Sequence, residues 1–226
     1  MNKEIKNFST MEDKKIIKNM KKITGKVSDA RPILQHIYYN DNYIVATDSH
    51  RLLQINKKHN KTNVLYNAKT GENGESSQQY PETSRIIPKS ENANNKIIIN
   101  HDEIDLLIAI LKAYKSIKLY HLTLTIDKDK EYYLMNYSDF NFNDNELLEH
   151  LNLNYKLKNI NLSDKPVHKI TFNVSYLLNA FEYLKDEVKT QRLTNSYYMY
   201  LTKGNFPINI TDKANSFNYV ICPIRP

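Results

Sequence analysis

Disulfide chemistry is the first thing excluded, because the 226-residue chain carries a single cysteine, Cys222. One thiol makes no internal bridge, and with no second cysteine near it there is no zinc-ligand pair. Such usage suits a reducing, cytosolic setting. Tryptophan is absent and only 4 glycines are present. "KTGENGES" has neither the spacing of a phosphate-binding loop nor a following helix, so no nucleotide cofactor is expected. No apolar run approaches the length of a membrane span, and the opening "MNKEIKNFSTMEDKK" lacks the apolar stretch of a signal peptide. The expectation is a soluble, cytoplasmic protein with no membrane partner.

What the chain does have is 40% apolar residues, including 17 Tyr and 7 Phe, enough to build a core. Lys and Arg number 32 against 25 Asp and Glu, a net charge of +7. That excess is compatible with a polyanionic partner, but a lysine-rich, A/T-biased coding sequence would produce it equally well.

Three segments predict amphipathic helices, each preceded by a polar capping residue. In "NFSTMEDKKIIKNMKKITGK", Ser9 or Thr10 can cap with Glu12 or Asp13, and Ile16, Ile17, Met20 and Ile23 share a face. In "KIIINHDEIDLLIAILKAYKSIK", Asn100 caps with Glu103 three residues on, ahead of Ile104, Leu107, Ile108 and Leu111. In "KITFNVSYLLNAFEYLKDEVKTQR", Asn173 caps and Val174, Leu177, Leu178, Phe181 and Leu184 turn inward. Basic residues follow in every case.

Between the helices lie alternating, Tyr- and Ile-rich strands, with hairpin turns expected at Asn40-Asp41-Asn42 and Asp127-Lys128-Asp129. Strand, helix and antiparallel strands thus recur, an α+β architecture built by internal repetition. Two segments break the pattern. Residues 67–96 read as a loop or connection holding "YPETSRIIP" as an ordered island, and residues 143–166 leave a short helix and strands equally open.

Asp48, Ser49, His50 and Arg51 are the one local cluster with catalytic residue types. Ser49 lies beside His50 on a strand or tight turn, where successive side chains diverge, so a triad is not supported. A hairpin in which Asp48 bonds backbone amides accounts for the same residues. His36, His50, His59, His101, His121, His150 and His168 are scattered without paired ligand spacing, so no metal is expected.

Four stretches resemble the bacterial DNA sliding clamp family, the beta subunit of DNA polymerase III. "VATDSHRLLQI" resembles the motif A-T-D-G-H-R-L-A, with Ser49 in place of Gly. "YPETSRIIP" resembles F-P-D-Y-R-R-V-L/I-P, "ITFNVSYLLNAFEYLK" resembles the helix of the last half-domain, and "FNYVICPIRP" resembles the ending Y-V-V/I-M-P-M/V-R. The resemblance implies a clamp fold of repeated half-domains, about three of them here. It divides the chain into a shortened middle domain, residues 1–95, and a nearly complete last domain, residues 96–226. It also implies a non-enzymatic role in DNA replication as a processivity factor.

The same resemblance implies a hydrophobic pocket for peptides carried by DNA polymerase or other clamp partners. By position it comprises Thr47, His50, Arg51 and Leu52, then Pro81, Arg85 and Ile86, then Val220, Cys222, Pro223, Ile224 and Arg225, with Pro207 and Ile208 nearby. His50 and Arg51 would edge the pocket. The alternative is that these side chains seal a domain junction. Helix lysines are where non-specific contacts to the DNA backbone would fall: Lys14, Lys15, Lys18, Lys21, Lys22, Lys112, Lys115, Lys118, Lys185 and Lys189, with Arg192. A solvated helix face would look the same. Family clamps have a further domain that joins subunits into a ring, so a homo-oligomeric ring and a peptide-binding decoy or adaptor that does not encircle DNA both stay open. So reduced a clamp would fit a phage or another mobile element.

Overall fold

The structure, a computed structural model, describes residues 8–74, 79–137, 154–189 and 196–225. Within them are helices α1 (Asp13–Thr24), α2 (His101–Ser116) and α3 (Val174–Val188). The strands of the first part are β1 (His36–Asn40), β2 (Tyr43–Thr47), β3 (Arg51–Asn56), β4 (Val64–Asn67) and β5 (Glu72–Gly74). Then come β6 (Asn95–Asn100), β7 (His121–Ile126), β8 (Tyr133–Tyr137), β9 (Tyr155–Leu157) and β10 (Ile160–Leu162). The last are β11 (Lys169–Asn173), β12 (Ser196–Leu201), β13 (Ile208–Thr211) and β14 (Phe217–Ile221). No helix among the described residues is long and apolar enough to cross a membrane.

The helix caps follow local chemistry in two cases of three. Asn100 and Glu103 form the reciprocal capping box, with Asn100 N donating to the Glu103 carboxylate at 3.0 Å. Asn173 Oδ1 accepts from Ser175 N at 2.9 Å. α1 differs, since it starts at Asp13 after an uncapped Glu12, later than Ser9 or Thr10 would place it. Ser9 is buried instead, its hydroxyl accepting from Met11 N and donating to Glu187 at 3.2 Å each. Tertiary burial has taken the residue that the cap needed. Ile16, Met20 and Ile23 are fully buried as the spacing predicts.

Both expected hairpins form. Asp41 and Asn42 turn β1 into β2, and Asp127 Oδ1 accepts from Glu131 N and Tyr132 N at 2.6 and 3.0 Å to close β7 onto β8. In the ambiguous segment the described part is strand, β9 and β10, while residues 138–153 lie outside the described residues.

One ten-stranded sheet runs β10-β6-β12-β13-β14-β3-β2-β1-β4-β5, and a second runs β11-β7-β8-β9. Every pairing among the described strands is antiparallel. The larger sheet crosses the boundary expected at residues 95 and 96, because β14 pairs with β3 in the register Val220↔Leu52 and Ile221↔Arg51. Alternation then sorts the faces. Leu53, Ile55, Tyr197, Met199, Phe217 and Tyr219 turn toward the helices and share one core with Met20, Leu107 and Phe181. Leu122, Leu124 and Phe172 of the smaller sheet join it.

Inside this core sits a carboxyl. Glu187 is 1% exposed and accepts from Tyr183 Oη at 2.9 Å and from Ser9. Burial pushes it up to about 7, with nearby Asp212 adding to the rise, while the two hydroxyl donors and Lys57 oppose it. A carboxyl raised from its ordinary value near 4.5 favours the folded state when protonated, so its contribution is complete below about pH 4.5 and is lost as pH climbs through about 7. Stability should therefore decline across that interval and level off above it. Glu187→Gln keeps an acceptor for Tyr183 and Ser9, and should flatten the decline and raise stability at pH 8 by on the order of 3 kcal/mol. Chemical denaturation at pH 5 and pH 8 measures both; an unchanged pH profile in the variant would show that Glu187 does not carry it.

Candidate partner-binding junction

The turn between β2 and β3 is built from its own side chains. Asp48 Oδ1 accepts from His50 N and Arg51 N at 3.0 and 2.9 Å, and Asp48 Oδ2 accepts from Arg51 Nε at 2.8 Å. Thr47 Oγ1 donates to Arg51 O at 2.8 Å and accepts from Ser49 N at 3.2 Å. This closure forces Ser49 to φ +76°, the left-handed region that suits Gly, the residue of the clamp motif at this position. Ser49 Oγ accepts from Arg31 at 2.8 Å, and the His50 ring lies 6.2 Å from that of Tyr176. The cluster with catalytic residue types is thus a turn lock.

Arg51 departs from the edge position expected for it. It is 1% exposed, donates through Nη2 to Lys22 O at the end of α1 at 2.7 Å, and lies 4.5 Å from the ring centre of Tyr176 on α3. A guanidinium with planar, divergent donors can tie the β2–β3 turn, α1 and α3 together at once, where a lysine could not. His50 is exposed, and its carbonyl accepts from Cys222 N at 2.7 Å. Ile224 N in turn donates to Thr171 O of β11 at 2.8 Å, so the C-terminal tail is fastened to both the turn and the second sheet.

On the face of the large sheet away from the helices, Leu52 and Val220 form a small cluster with Leu34, Val45, Leu65 and Tyr80, against which Ile87 packs. Tyr80 stacks on Tyr38 at 4.9 Å and covers this floor. The three motifs therefore do meet, at the β3–β14 ladder and beneath residues 80–88. Thr47, Leu52 and Val220 are buried there, whereas Arg51 and Ile208 are buried on the helix side of the sheet, Ile208 within the main core and away from the pocket expected for it; Cys222, Pro223, Ile224 and Pro207 are partly buried; Pro81, Arg85, Ile86, His50 and Arg225 are exposed. Burial pushes the Cys222 thiol up, with Asp48 adding to the rise, which keeps it neutral.

Beside the junction runs a groove of about 1230 Å³. Arg85, Ile86 and Pro88 line one side, Phe206 and Pro207 the other, and Asn209 and Asn218 come up from the sheet. Ile86 is 51% and Phe206 47% exposed. Of the expected pocket residues, Arg85, Ile86 and Pro207 line this groove. Tyr176, Phe206 and Asn209 escape the sequence, since none stands in a local pattern that distinguishes it from a packing or loop residue. Tyr80 opens the "YPETSRIIP" motif, yet nothing local marks it as the cover.

The helix lysines divide into two groups. Lys18 pairs with Asp186 at 3.3 Å, Lys22 with Glu182 at 2.8 Å, Lys112 with Glu182 at 3.9 Å and Lys185 with Asp105 at 2.6 Å. These bridges stitch α3 to its two neighbours. For Asp186, burial acts to raise the carboxyl, but the Asn19 hydrogen bond with Lys18 and Lys22 holds it below its ordinary value. Lys14, Lys15, Lys21, Lys115 and Lys189 make no ion pair among the described residues; Lys118 stands just past α2 at φ +63°, and Arg192 lies outside the described residues. Since α2 carries Asp102, Glu103 and Asp105, and α3 carries Glu182, Asp186 and Glu187, positive charge concentrates on α1. No group of three or more His, Cys, Asp or Glu among the described residues is placed to hold a metal ion.

Repeated helix-and-strand units with sheets on one side and helices on the other define a clamp-type α+β fold. The chain is a shortened version of the bacterial DNA sliding clamp fold. It superposes on the DNA polymerase sliding clamp of Bacillus subtilis with a TM-score of 0.67, at 17% identity, over 99% of this chain and 67% of that one. The beta subunit of Streptococcus pyogenes DNA polymerase gives a TM-score of 0.64 at 16% identity, over 100% of this chain and 68% of the other. For DNA polymerase III subunit beta of Borrelia burgdorferi, solved in complex with a natural product, the score is 0.66 at 16% identity, over 100% and 66%. The chain thus spans about two thirds of the length of these clamps. No family model matches it, and no curated protein matches it by sequence.

Two substitutions test the turn lock by thermal or chemical unfolding. Ser49→Gly relieves the left-handed strain and should stabilise by roughly 1 kcal/mol, less the Arg31 hydrogen bond. Asp48→Ala leaves the buried Arg51 charge unpaired and should cost about 3–5 kcal/mol; a cost under about 1 kcal/mol would mean that the ion pair does not hold this turn.

Proposed function

We propose that the protein is a sliding-clamp-like factor that acts in DNA replication without itself being an enzyme. In this reading residues 1–95 correspond to a shortened middle domain and residues 96–226 to the last domain. The observation that carries it is the fold match over the whole chain, supported by the meeting of three clamp-like motifs at the β3–β14 junction. DNA would be held along its phosphate backbone without sequence preference, mainly by Lys14, Lys15 and Lys21 of α1. Partner proteins such as DNA polymerases would be tethered through clamp-binding peptides at the junction. There the exposed Ile86, with Pro207, offers apolar contact and Arg85 offers charge, while Leu52 and Val220 form the floor under Tyr80.

A second reading is a clamp-derived adaptor or decoy that binds such peptides without encircling DNA. The acidic residues of α2 and α3 favour it, because they neutralise Lys18, Lys22, Lys112 and Lys185 and leave less charge for phosphates. Light scattering separates the two: a closed homo-oligomer supports the clamp, and a monomer at working concentration supports the adaptor.

Duplex DNA binding provides the sharper test. Combining Lys14→Glu, Lys15→Glu and Lys21→Glu should weaken binding at least tenfold, and should lower the slope of log affinity against log salt by about 0.9 for each phosphate no longer neutralised. Equal affinity in the variant would remove α1 from the interface. For the peptide site, a Leu- or Phe-anchored clamp-binding peptide should bind about tenfold more weakly on Arg85→Ala or Ile86→Ala, read by isothermal calorimetry, and unchanged binding would place its site elsewhere.

A further inference from the structure

The outer face of the large sheet, opposite the helices, carries an aromatic and cationic strip that duplex binding does not use and that meets the peptide groove only at its Phe206 end. β12 turns Tyr197, Met199 and Leu201 into the core, which leaves Tyr198 and Tyr200 on the outer side, partly buried, with ring centres 6.2 Å apart. Across the ladder Tyr200 stands opposite Lys96 of β6 on one side and Asn209 of β13 on the other. Lys96 Nζ lies 4.9 Å from the Tyr198 ring centre. Beyond Asn209, in the β12–β13 connection, Phe206 is 47% exposed with Lys203 Nζ at 5.0 Å from its ring centre. Cross-strand neighbours sit about 5 Å apart, so Lys96, Tyr200 and Asn209 form a continuous row that leads into the groove.

Asn209 points to a ligand independently. It is 3% exposed and lines the groove, with its Nδ2 donating to Asn218 Oδ1 at 2.8 Å and to Pro88 O at 3.4 Å. Its Oδ1 is buried with no hydrogen-bond partner. A buried carbonyl oxygen without a donor costs on the order of 1–3 kcal/mol, so the site is poised for an incoming N–H.

We propose that this strip binds single-stranded nucleic acid, with bases stacking on Tyr198, Tyr200 and Phe206, the backbone neutralised by Lys96 and Lys203, and a base N–H donated to Asn209 Oδ1. Aromatic faces alternating with cations are what a single strand requires, because every base has a stackable face and every link a charge. An acidic peptide would use the lysines but has no need of three separate ring faces. The strip lies on the opposite side of the sheet from α1, so a single strand and a duplex would occupy different faces.

The test is fluorescence anisotropy of the full chain with a labelled oligothymidylate of about 20 nucleotides, a length that spans one or two such sites, at two salt concentrations. Salt-sensitive binding is expected, weakened about tenfold by Phe206→Ala and by Tyr200→Leu, with a similar weakening on combining Lys96→Glu and Lys203→Glu. The α1 triple variant should bind the oligonucleotide as the native protein does, and the Phe206→Ala protein should bind duplex unchanged. Phe206 is on an exposed connection, so its variant decides the matter even if Tyr200→Leu fails to fold. No oligothymidylate binding, or weakening confined to the α1 variant, overturns the proposal; so does a Glu-rich peptide that needs Phe206 where the oligonucleotide does not.

Discussion

Pairing of β14 with β3 is the constraint on which the rest of the molecule depends. It joins strands separated by most of the chain, makes two groups of strands into one ten-stranded sheet, and fixes which faces of both point to the helices. The ladder is closed at its end by a buried ion pair. Arg51, the first residue of β3, is held by Asp48 and in turn holds the last turn of α1 and the ring of Tyr176. Desolvation of the guanidinium is offset by Nε on Asp48, Nη2 on Lys22 O and the Tyr176 ring against its plane, while Nη1 is buried without a hydrogen-bond partner.

Much of the apparent chemistry of the chain is consumed in this assembly. Asp48, Ser49 and Arg51 close a turn. Lys18, Lys22, Lys112 and Lys185 bridge helices through Glu182, Asp186 and Asp105. Ser9 fastens the approach to α1 against Glu187. What is left over is unevenly distributed: lysines without an acidic partner on α1, and exposed apolar and aromatic side chains, Ile86 and Phe206, on the opposite face. A sheet with helices on one side presents two chemically different surfaces, and any function in holding nucleic acid and partner proteins has to divide between them.

A large part of the fold is written in local spacing. The periodic burial of Ile16, Met20 and Ile23, the capping box at Asn100 and Glu103, the cap at Asn173 and the turns at Asp41 and Asp127 all depend on residues a few positions apart, so they are legible in the amino-acid sequence. Even the oddity of Ser49 is visible there as a departure from a glycine motif, and its φ of +76° explains why glycine suits the position.

The sequence by itself determined most of the elements, their repetition and the four stretches that resemble a clamp, because periodicity and capping are short-range properties. Only the tertiary structure decided what those motifs' side chains do. Whether Arg51 edges a pocket or is buried depends on Lys22 and Tyr176, which lie on helices distant from it in the chain, and whether a helix lysine is available to phosphate depends on an acid brought from another helix. Tyr80 as a cover depends on packing against strands distant in the chain, and the placing of Lys96 and the unsatisfied Asn209 on either side of Tyr200 follows from strand register, which long-range ladders set and no local pattern records.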